Sequence, residues 1–207
     1  MNRLFSLDGK LFHILSRIAD LILLNVLWLL SSLPIITIGA STTALYYVML
    51  KIVKNEDSYI IRSFFHSFFQ NIRQSTIIWL LLLVTGSLVS FDYYICTQSQ
   101  SSYAKLLQTL LFFIGLVILA TTFYVFPVLA RFDNCTRHML KNAFLMTAAH
   151  LPSTTILFLI HCGPVLLMLR YPIIMIGGIY FYLFIGIGIT SWLDSLLLRR
   201  ILDKYIS

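Results

Sequence analysis

The chain has 207 residues, of which 59% are hydrophobic and only 11% are charged, and its mean hydropathy is +0.89. This composition excludes an ordinary soluble domain. The net charge of +7 is compatible with nucleic-acid binding, but the basic residues lie between apolar stretches rather than along one face, so orientation in a membrane explains them better. The three cysteines are scattered and odd in number, which predicts neither a metal site nor a disulfide framework.

Five apolar stretches contain no Lys, Arg, Asp or Glu. A helix needs about 20 mainly apolar residues to cross roughly 30 Å of hydrocarbon. Hydrophobicity in these stretches is continuous rather than alternating, which favours helices over a transmembrane barrel. The sequence therefore predicts an all-α, polytopic membrane protein, and the stretches are residues 21–50, 74–91, 106–130, 142–169 and 171–193.

Residues 1–20 mix basic and apolar side chains, which suits a segment on the membrane surface that leads into the first span. The stretch 21–50 is interrupted by Pro34 and Gly39, and three hydroxyl residues follow at once, Ser41, Thr42 and Thr43. Because proline disfavours helix at the residue before it, we predict a non-helical turn over residues 34–43 near the outer face. Gly39 is expected to provide positive φ or a close backbone approach there.

Basic residues flank the stretch 21–50 on both sides, and this decides its topology. Since Lys- and Arg-rich flanks stay in the cytoplasm, the stretch is expected to cross twice, as a tight hairpin. This assignment leaves only Lys105 and Arg170 outside among the Lys and Arg residues. We therefore predict six crossings rather than five, in the plasma membrane, with both termini cytoplasmic and later spans at residues 75–95, 106–126, 153–169 and 173–193.

Two segments between the spans are amphipathic. In residues 59–74, Ile and Phe recur at helical spacing opposite Arg62 and His66, and residues 137–151 set apolar side chains against Arg137 in the same way. Both are predicted to be interfacial helices on the cytoplasmic side. The alternative is that both are cytoplasmic extensions of neighbouring spans.

Residues 1–207 are treated as a single integral membrane domain with a weak internal repeat. A shift of 79 residues overlays Thr42-Thr43 on Thr121-Thr122 and Thr76-Ile77 on Thr155-Ile156. The repeated blocks are residues 40–96 and 119–175. Parallel repeats are a common way to build a transporter.

Polar residues within or beside the spans are the first candidate functional groups. The hydroxyls of residues 37–43, with Asn25 and the pair at 121–122, either line a solute path or serve helix packing, and packing is favoured. Arg131, Asp133 and Asn134 follow the span that ends near Pro127. These three residues suit an ion pair, a cap for the next helix or a partner contact, and capping is favoured.

Two ionisable residues lie in or at the end of later apolar stretches. His161 is a weaker candidate, because an intramembrane histidine is functional by default but no acidic partner is evident for it. Asp194, beside Trp192, is interpreted as an ordinary interfacial residue closing the last span. No nucleophile with its base, phosphate-binding loop or metal-ligand motif appears, so the sequence predicts neither an enzyme nor a cofactor.

The run LPIITIGASTTALYY at residues 33–47, joined to ARFDN at residues 130–134, resembles the YesL family over nearly the whole chain. This is a family of small integral membrane proteins from Gram-positive bacteria with no assigned function. Its members tend to be encoded beside carbohydrate ABC-transporter components and glycan-degrading enzymes. The resemblance implies a role in sugar uptake or its control and carries no catalytic residue. Its recurring positions here are Pro34, Gly39, Ser41, Thr42, Thr43, Arg131, Asp133 and Asn134.

Three classes of function compete on these grounds. The first is a non-enzymatic accessory or regulatory subunit whose partners, besides the lipid bilayer, are the permease subunits of a carbohydrate ABC transporter. The second is a stand-alone small-solute transporter or channel, and sparse buried charge argues against ion coupling in it. A membrane enzyme is third. Nucleic acid is not expected as a partner, and the sequence leaves the oligomeric state open.

Overall fold

The computed structural model describes residues 10–56, 59–99 and 101–205, with side chains from residue 14 onward, and within these ranges every regular element is helical. There are eight α-helices in this part of the chain. They are α1 (Lys10–Ser31), α2 (Ile38–Val53), α3 (Ile60–Gln98), α4 (Ser102–Arg131), α5 (Thr136–Ala149), α6 (Leu151–Arg170), α7 (Pro172–Phe181) and α8 (Ile187–Leu202). A π turn, Tyr182–Gly186, joins α7 to α8.

Six helical segments in the described residues are long and apolar enough to cross a membrane. Two of them are the arms formed by α1 and α2, and the others are α3, α4, α6 and the continuous α7–α8 unit. The predicted all-α polytopic class is therefore confirmed, with six segments able to cross a membrane. Residues 10–20 of the predicted surface segment form the first half of α1, continuous with the first span, and residues 1–9 lie outside the described residues.

The arms α1 and α2 form an antiparallel hairpin, as predicted. The Trp28 indole donates to Thr42 Oγ1 (3.1 Å) near the tip, and Arg17 donates to Asn55 Oδ1 (2.8 Å) at the open end. The predicted non-helical turn over residues 34–43 is too long, because only a short 3₁₀ turn, Ile35–Thr37, precedes the start of α2. Thr37 Oγ1 contacts the carbonyl oxygens of Ser31 and Pro34 at 2.7 Å each, and this shortens the turn.

Residues 59–74 do not form a separate interfacial helix, so that prediction is wrong and the alternative of an extended span describes the helix better. They continue into α3, which has 39 residues. At 1.5 Å per residue α3 is about 58 Å long, well beyond the hydrocarbon thickness. No proline or glycine interrupts residues 60–85, so nothing stops the helix there. By contrast α5 is a distinct helix, and α6 begins again with Pro152 in its first turn.

Two buried clusters hold the helices together. One surrounds Tyr124 and joins α2, α3, α4, α5, α6 and α8. The other surrounds Leu24 and Phe64 and joins α1, α2 and α3. Asn25, fully buried, ties α1 to the π turn by donating to the Leu183 carbonyl (2.7 Å) and accepting from the Gly188 N–H (3.1 Å). Its amide satisfies backbone groups, which is a packing role.

The internal repeat stays a prediction, and the structure adds one parallel to it. In the first block Ser75 Oγ lies 2.9 Å from Thr43 Oγ1 on the preceding helix. In the second block Thr154, which the 79-residue shift overlays on Ser75, lies 3.0 Å from the Tyr124 hydroxyl on α4, and α5 separates these two helices in the chain. Each block thus carries, at the same position, a hydroxyl residue that contacts another helix of its own block.

Candidate functional site

The most unusual polar group in the protein is the carboxyl group of Asp194 in α8, which is 1% exposed. The Tyr46 hydroxyl from α2 donates to Asp194 Oδ2 over 2.7 Å. His161 Nε2 from α6 lies 3.4 Å from the same oxygen. Three helices distant in sequence therefore place a phenol and an imidazole on one buried carboxyl oxygen.

His161 is held in position by two further contacts. Its ring stacks on Phe123 of α4, with centroids 4.5 Å apart and planes 28° apart. Its Nδ1 lies 3.1 Å from the Leu157 carbonyl oxygen. The side chain of His161 remains 31% exposed, so the cluster reaches from the fully buried Asp194 to a partly accessible ring.

The hydrogen-bond partners determine how protons are arranged in this cluster. The Leu157 carbonyl can only accept, so His161 Nδ1 carries a hydrogen, and Tyr46 supplies its own hydrogen to Asp194. His161 Nε2 lies 3.4 Å from Asp194 Oδ2, an ion-pair distance. A single proton on either of these two atoms makes the total charge of the pair zero. A neutral pair is the form in which ionisable groups are tolerated at membrane depth.

Two buried oxygens beside this pair have no hydrogen-bond partner among the described residues, Asp194 Oδ1 and Ser195 Oγ. A buried polar atom without a partner costs about 1–3 kcal/mol. Such atoms in a native protein call for a ligand, a water or a protonation event to satisfy them. The described residues hold no group of three or more His, Cys, Asp or Glu side chains suited to a metal ion.

The interpretation of Asp194 as an ordinary interfacial residue is wrong. α8 continues to Leu202, so Asp194 lies two turns before the helix ends and faces the core. His161 consequently does have an acidic partner. Sequence reasoning missed the pair because the two residues are separated by a turn between spans. The available signal was the continued helical spacing of apolar residues after Asp194.

The candidate hydroxyl residues near the hairpin tip all have structural partners. Ser41 donates to the Thr37 carbonyl, and Thr42 bonds to the Ile38 carbonyl and to Trp28. Thr43 bonds to Gly39 and Ser75. These bonds lie within or between helices, as the packing interpretation expects.

Pro34 and Gly39 serve the docking of this tip on α3. Pro34 precedes the 3₁₀ turn, whose Ile35 carbonyl accepts from the Trp79 indole (2.9 Å). An added Cβ on Gly39 would lie 2.6 Å from the Ser75 carbonyl oxygen and 2.7 Å from Trp79 Cβ. Gly39 is therefore required for close approach, while a positive φ is not involved.

The residues Arg131, Asp133 and Asn134 separate into two roles. Arg131 pairs with Asp203 (3.2 Å) beyond α8 rather than with Asp133. The Asn134 side chain accepts from the Cys135 N–H, and its carbonyl accepts from Gln74. The predicted cap is wrong, because α5 begins after Cys135 without any side-chain cap. The Asp133 side chain is exposed and has no bond to any residue in the described ranges.

Arg131 belongs to a set of contacts that we call the polar end. Asp203 bonds to Arg131 and also to Arg199 of α8 (3.5 Å). Arg199 donates in turn to the Val53 carbonyl at the end of α2 (2.8 Å). The polar end, formed by Arg131, Asp203, Arg199 and the Val53 carbonyl, ties α2, α4 and α8 together beside the exposed Asp133.

Fold and site together define a polytopic α-helical membrane protein with a buried carboxyl–imidazole–phenol cluster. Residues 21–93 match a family described as "Protein of unknown function, DUF624". The chain is 29% identical over 161 residues to uncharacterized protein YesL of Bacillus subtilis (strain 168), covering 76% of this chain and 75% of that one. It is 25% identical over 150 residues to uncharacterized protein YteU of the same organism, covering 70% and 67%. No solved structure matches the chain.

These matches are similarities to YesL-like proteins of unassigned function, and the family match includes the motif at residues 33–47.

Proposed function

We propose that the chain is a non-enzymatic accessory or regulatory subunit that works with the permease of a carbohydrate ABC transporter. The setting is the plasma membrane, with both termini in the cytoplasm. The motif resemblance supplies the transport context. The observation that supports a docking role is the exposed Asp133, which bonds to no residue in the described ranges and lies beside the polar end on a short connection between α4 and α5.

The polar end makes Asp133 suitable for recognition of a partner. Arg131 is committed to Asp203, so the neighbouring negative charge on Asp133 is not neutralised by it. The connection itself is anchored at Asn134 by Gln74 of α3. An exposed carboxylate on a connection that is already anchored by a hydrogen bond loses less backbone entropy when it binds a cationic partner surface.

Affinity purification in mild detergent from the native host tests this proposal. We expect the wild-type chain to recover a carbohydrate ABC-transporter permease and Asp133→Lys to lose it while keeping its thermal stability. Asp92→Lys is the matched control, because it makes the same change at an exposed site at the far end of α3. Arg131→Glu is not a clean test, since it also breaks the Asp203 pair. Permease recovery that is unaffected by Asp133→Lys would remove the docking argument.

A stand-alone transporter of a small solute is the second candidate, and the Asp194 cluster is the observation that favours it. The sequence argument against ion coupling rests on sparse buried charge, yet Asp194 is buried and lies 3.4 Å from His161 Nε2. Intramembrane acid–histidine pairs of this kind are typical of proton-linked transport.

Flux measurements in liposomes that contain only this chain separate the two candidates. Sugar uptake driven by a pH gradient, and abolished by Asp194→Asn, would establish transport and overturn the accessory role. Absence of uptake, together with recovery of the permease, is the outcome that the accessory role predicts.

A further inference from the structure

A second polar site lies where the end of α2 meets the first turns of α3. It is an open cavity of about 790 Å³. Its lining includes two cations and a histidine, Lys51, Arg62 and His66, together with the rings of Tyr47, Phe65 and Phe69. No carboxylate lines this cavity among the described residues.

The arrangement of phenylalanines in α3 is what distinguishes this cavity from a solvated basic surface. The sequence pattern places all the phenylalanines of residues 59–74 opposite Arg62 and His66, but the structure divides them. Phe64 and Phe68 are buried, at 0% and 7% exposure, whereas Phe65 and Phe69 are 38% and 67% exposed. The exposed pair stacks with centroids 6.2 Å apart. It lines the same cavity as the basic side chains.

Cationic and exposed aromatic side chains on one helix face match the two chemical parts of a phospholipid. Arginine, lysine and histidine donate hydrogen bonds to phosphate oxygens. The neutral donors Ser63 and Gln70 in the same lining add to this capacity. Exposed phenyl rings pack against acyl chains at the membrane boundary. A phosphate ion without a hydrocarbon chain would have no apolar part to pack against the exposed rings of Phe65 and Phe69.

We propose that this cavity binds an anionic phospholipid, with its phosphate headgroup between Lys51 and Arg62 and an acyl chain along Phe65 and Phe69. Lys51 is already oriented by the ring of Tyr47, 4.3 Å from its Nζ atom. The site lies beside the connection between α2 and α3, so an occupied headgroup cross-links the hairpin to the long helix. This inference depends neither on the proposed accessory role nor on the alternative of a stand-alone transporter.

Lipid-dependent stabilisation of the purified full chain tests the proposal. The protein, in a zwitterionic detergent, is titrated with short-chain phosphatidylglycerol, short-chain phosphatidylcholine or inorganic phosphate, and its melting temperature is recorded. We expect stabilisation by phosphatidylglycerol alone. For Arg62→Gln and for Lys51→Gln we expect weaker binding, with the half-saturating concentration of phosphatidylglycerol raised about fivefold for each basic residue removed.

Control variants separate the cavity from general surface charge. Arg137→Gln removes an exposed cation that does not line the cavity, and we expect it to leave the titration unchanged. Phe69→Ser, at a largely exposed position, is expected to weaken phosphatidylglycerol binding without loss of folding. Equal weakening by Arg137→Gln and Arg62→Gln would overturn the proposal in favour of unspecific attraction. Equal stabilisation by inorganic phosphate would overturn it in favour of a soluble phosphate ligand.

Discussion

At the scale of single residues, the Asp194 carboxyl group is held by a hydrogen bond from Tyr46 and an ion-pair contact with His161, both on other helices. Tyr46 and His161 both approach its Oδ2 atom, while Oδ1 has no partner among the described residues. The carboxyl group is therefore bound asymmetrically. One oxygen is committed to structure and the other is available to a proton, a water or a ligand.

Because Asp194 accepts the Tyr46 hydrogen bond, substitutions that remove or keep an acceptor at this position are expected to differ in their effect on stability. Asp194→Leu removes the acceptor of the buried Tyr46 hydroxyl, so we expect a loss of about 1–3 kcal/mol in the free energy of unfolding. Asp194→Asn keeps an oxygen at that place and is expected to cost less. Reversible denaturation in mixed micelles, followed by helical circular dichroism, provides the measurement.

A double substitution provides the control for this prediction. Tyr46→Phe combined with Asp194→Leu removes both partners, so its cost is expected to be smaller than the sum of the two single costs. Strict additivity would mean that the 2.7 Å contact between the two side chains carries no coupling.

Sequence reasoning reached only part of this site, for a physical reason. It identified His161 as ionisable within a span, but it placed Asp194 at a membrane interface because the charge-free stretch ends there. Apolar runs locate helices, whereas the pairing of side chains across helices depends on rotation and packing that no run of residues encodes. The sequence does not predict Tyr46 as a partner of Asp194 for the same reason, since tyrosine in an apolar stretch is common.

At the scale of helices, the close packing of α2 on α3 depends on the missing side chain at Gly39. The Ser75 carbonyl and the Trp79 side chain occupy the space that a Cβ would need. Helices in membranes associate through van der Waals contact that small residues permit. Two contacts thus hold the hairpin on α3. One is the close approach of the helices at Gly39, and the other is the hydrogen bond from the Trp79 indole to the Ile35 carbonyl.

We therefore expect Gly39→Ala to destabilise the protein by about 1–3 kcal/mol, because α2 and α3 must separate. Gly86→Ala is the matched control, since Gly86 lies in α3 with no atom within 4 Å of an added Cβ. Helix propensity favours alanine over glycine, so Gly86→Ala should leave the free energy of unfolding unchanged or raise it by up to about 1 kcal/mol. Denaturation in mixed micelles compares the two variants. A gain for Gly39→Ala similar to that of Gly86→Ala would contradict the close α2–α3 contact at Gly39.

Helix boundaries show where sequence patterns are sufficient and where they are not. The hairpin and the six long apolar segments follow from hydrophobic length and basic flanks, which are local properties. The continuity of α3 through residues 70–75 does not follow, because a polar run is compatible with either a break or a solvated helical turn. Pro152 marks the corresponding boundary between α5 and α6, where the chain does break.

At the scale of the whole molecule, the orientation in the membrane remains a prediction from the distribution of Lys and Arg. In a background without the native cysteines, we expect Leu33→Cys and Ser99→Cys to react with an impermeant thiol reagent in intact cells. Lys54→Cys and Asn134→Cys are expected to react only after permeabilisation. Leu33 replaces the Gly39 position as the outer probe, because Gly39 is buried and Leu33 is 76% exposed.

Reaction of Lys54→Cys in intact cells would contradict the six-crossing topology. Protection of Leu33→Cys with reaction of Ser99→Cys would mean that the hairpin enters and leaves the bilayer from the same side without reaching the other. Both outcomes leave the helical assignments unchanged and alter only the side of the membrane on which each connection lies.

The hydrogen bond between Trp79 and Ile35 has a geometric consequence for the bilayer itself. α3 extends from this contact to Gln98, about 29 Å of helix at 1.5 Å per residue, close to the full hydrocarbon thickness of roughly 30 Å. If the hairpin tip and the connection after Gln98 lie at the same face of the bilayer, this arm of α3 must run along the membrane surface rather than across it. If the tip instead lies within the hydrocarbon, the arm has the length to continue across to the outer face. The depth of the Trp79–Ile35 contact in the bilayer therefore decides how much of α3 is in contact with acyl chains.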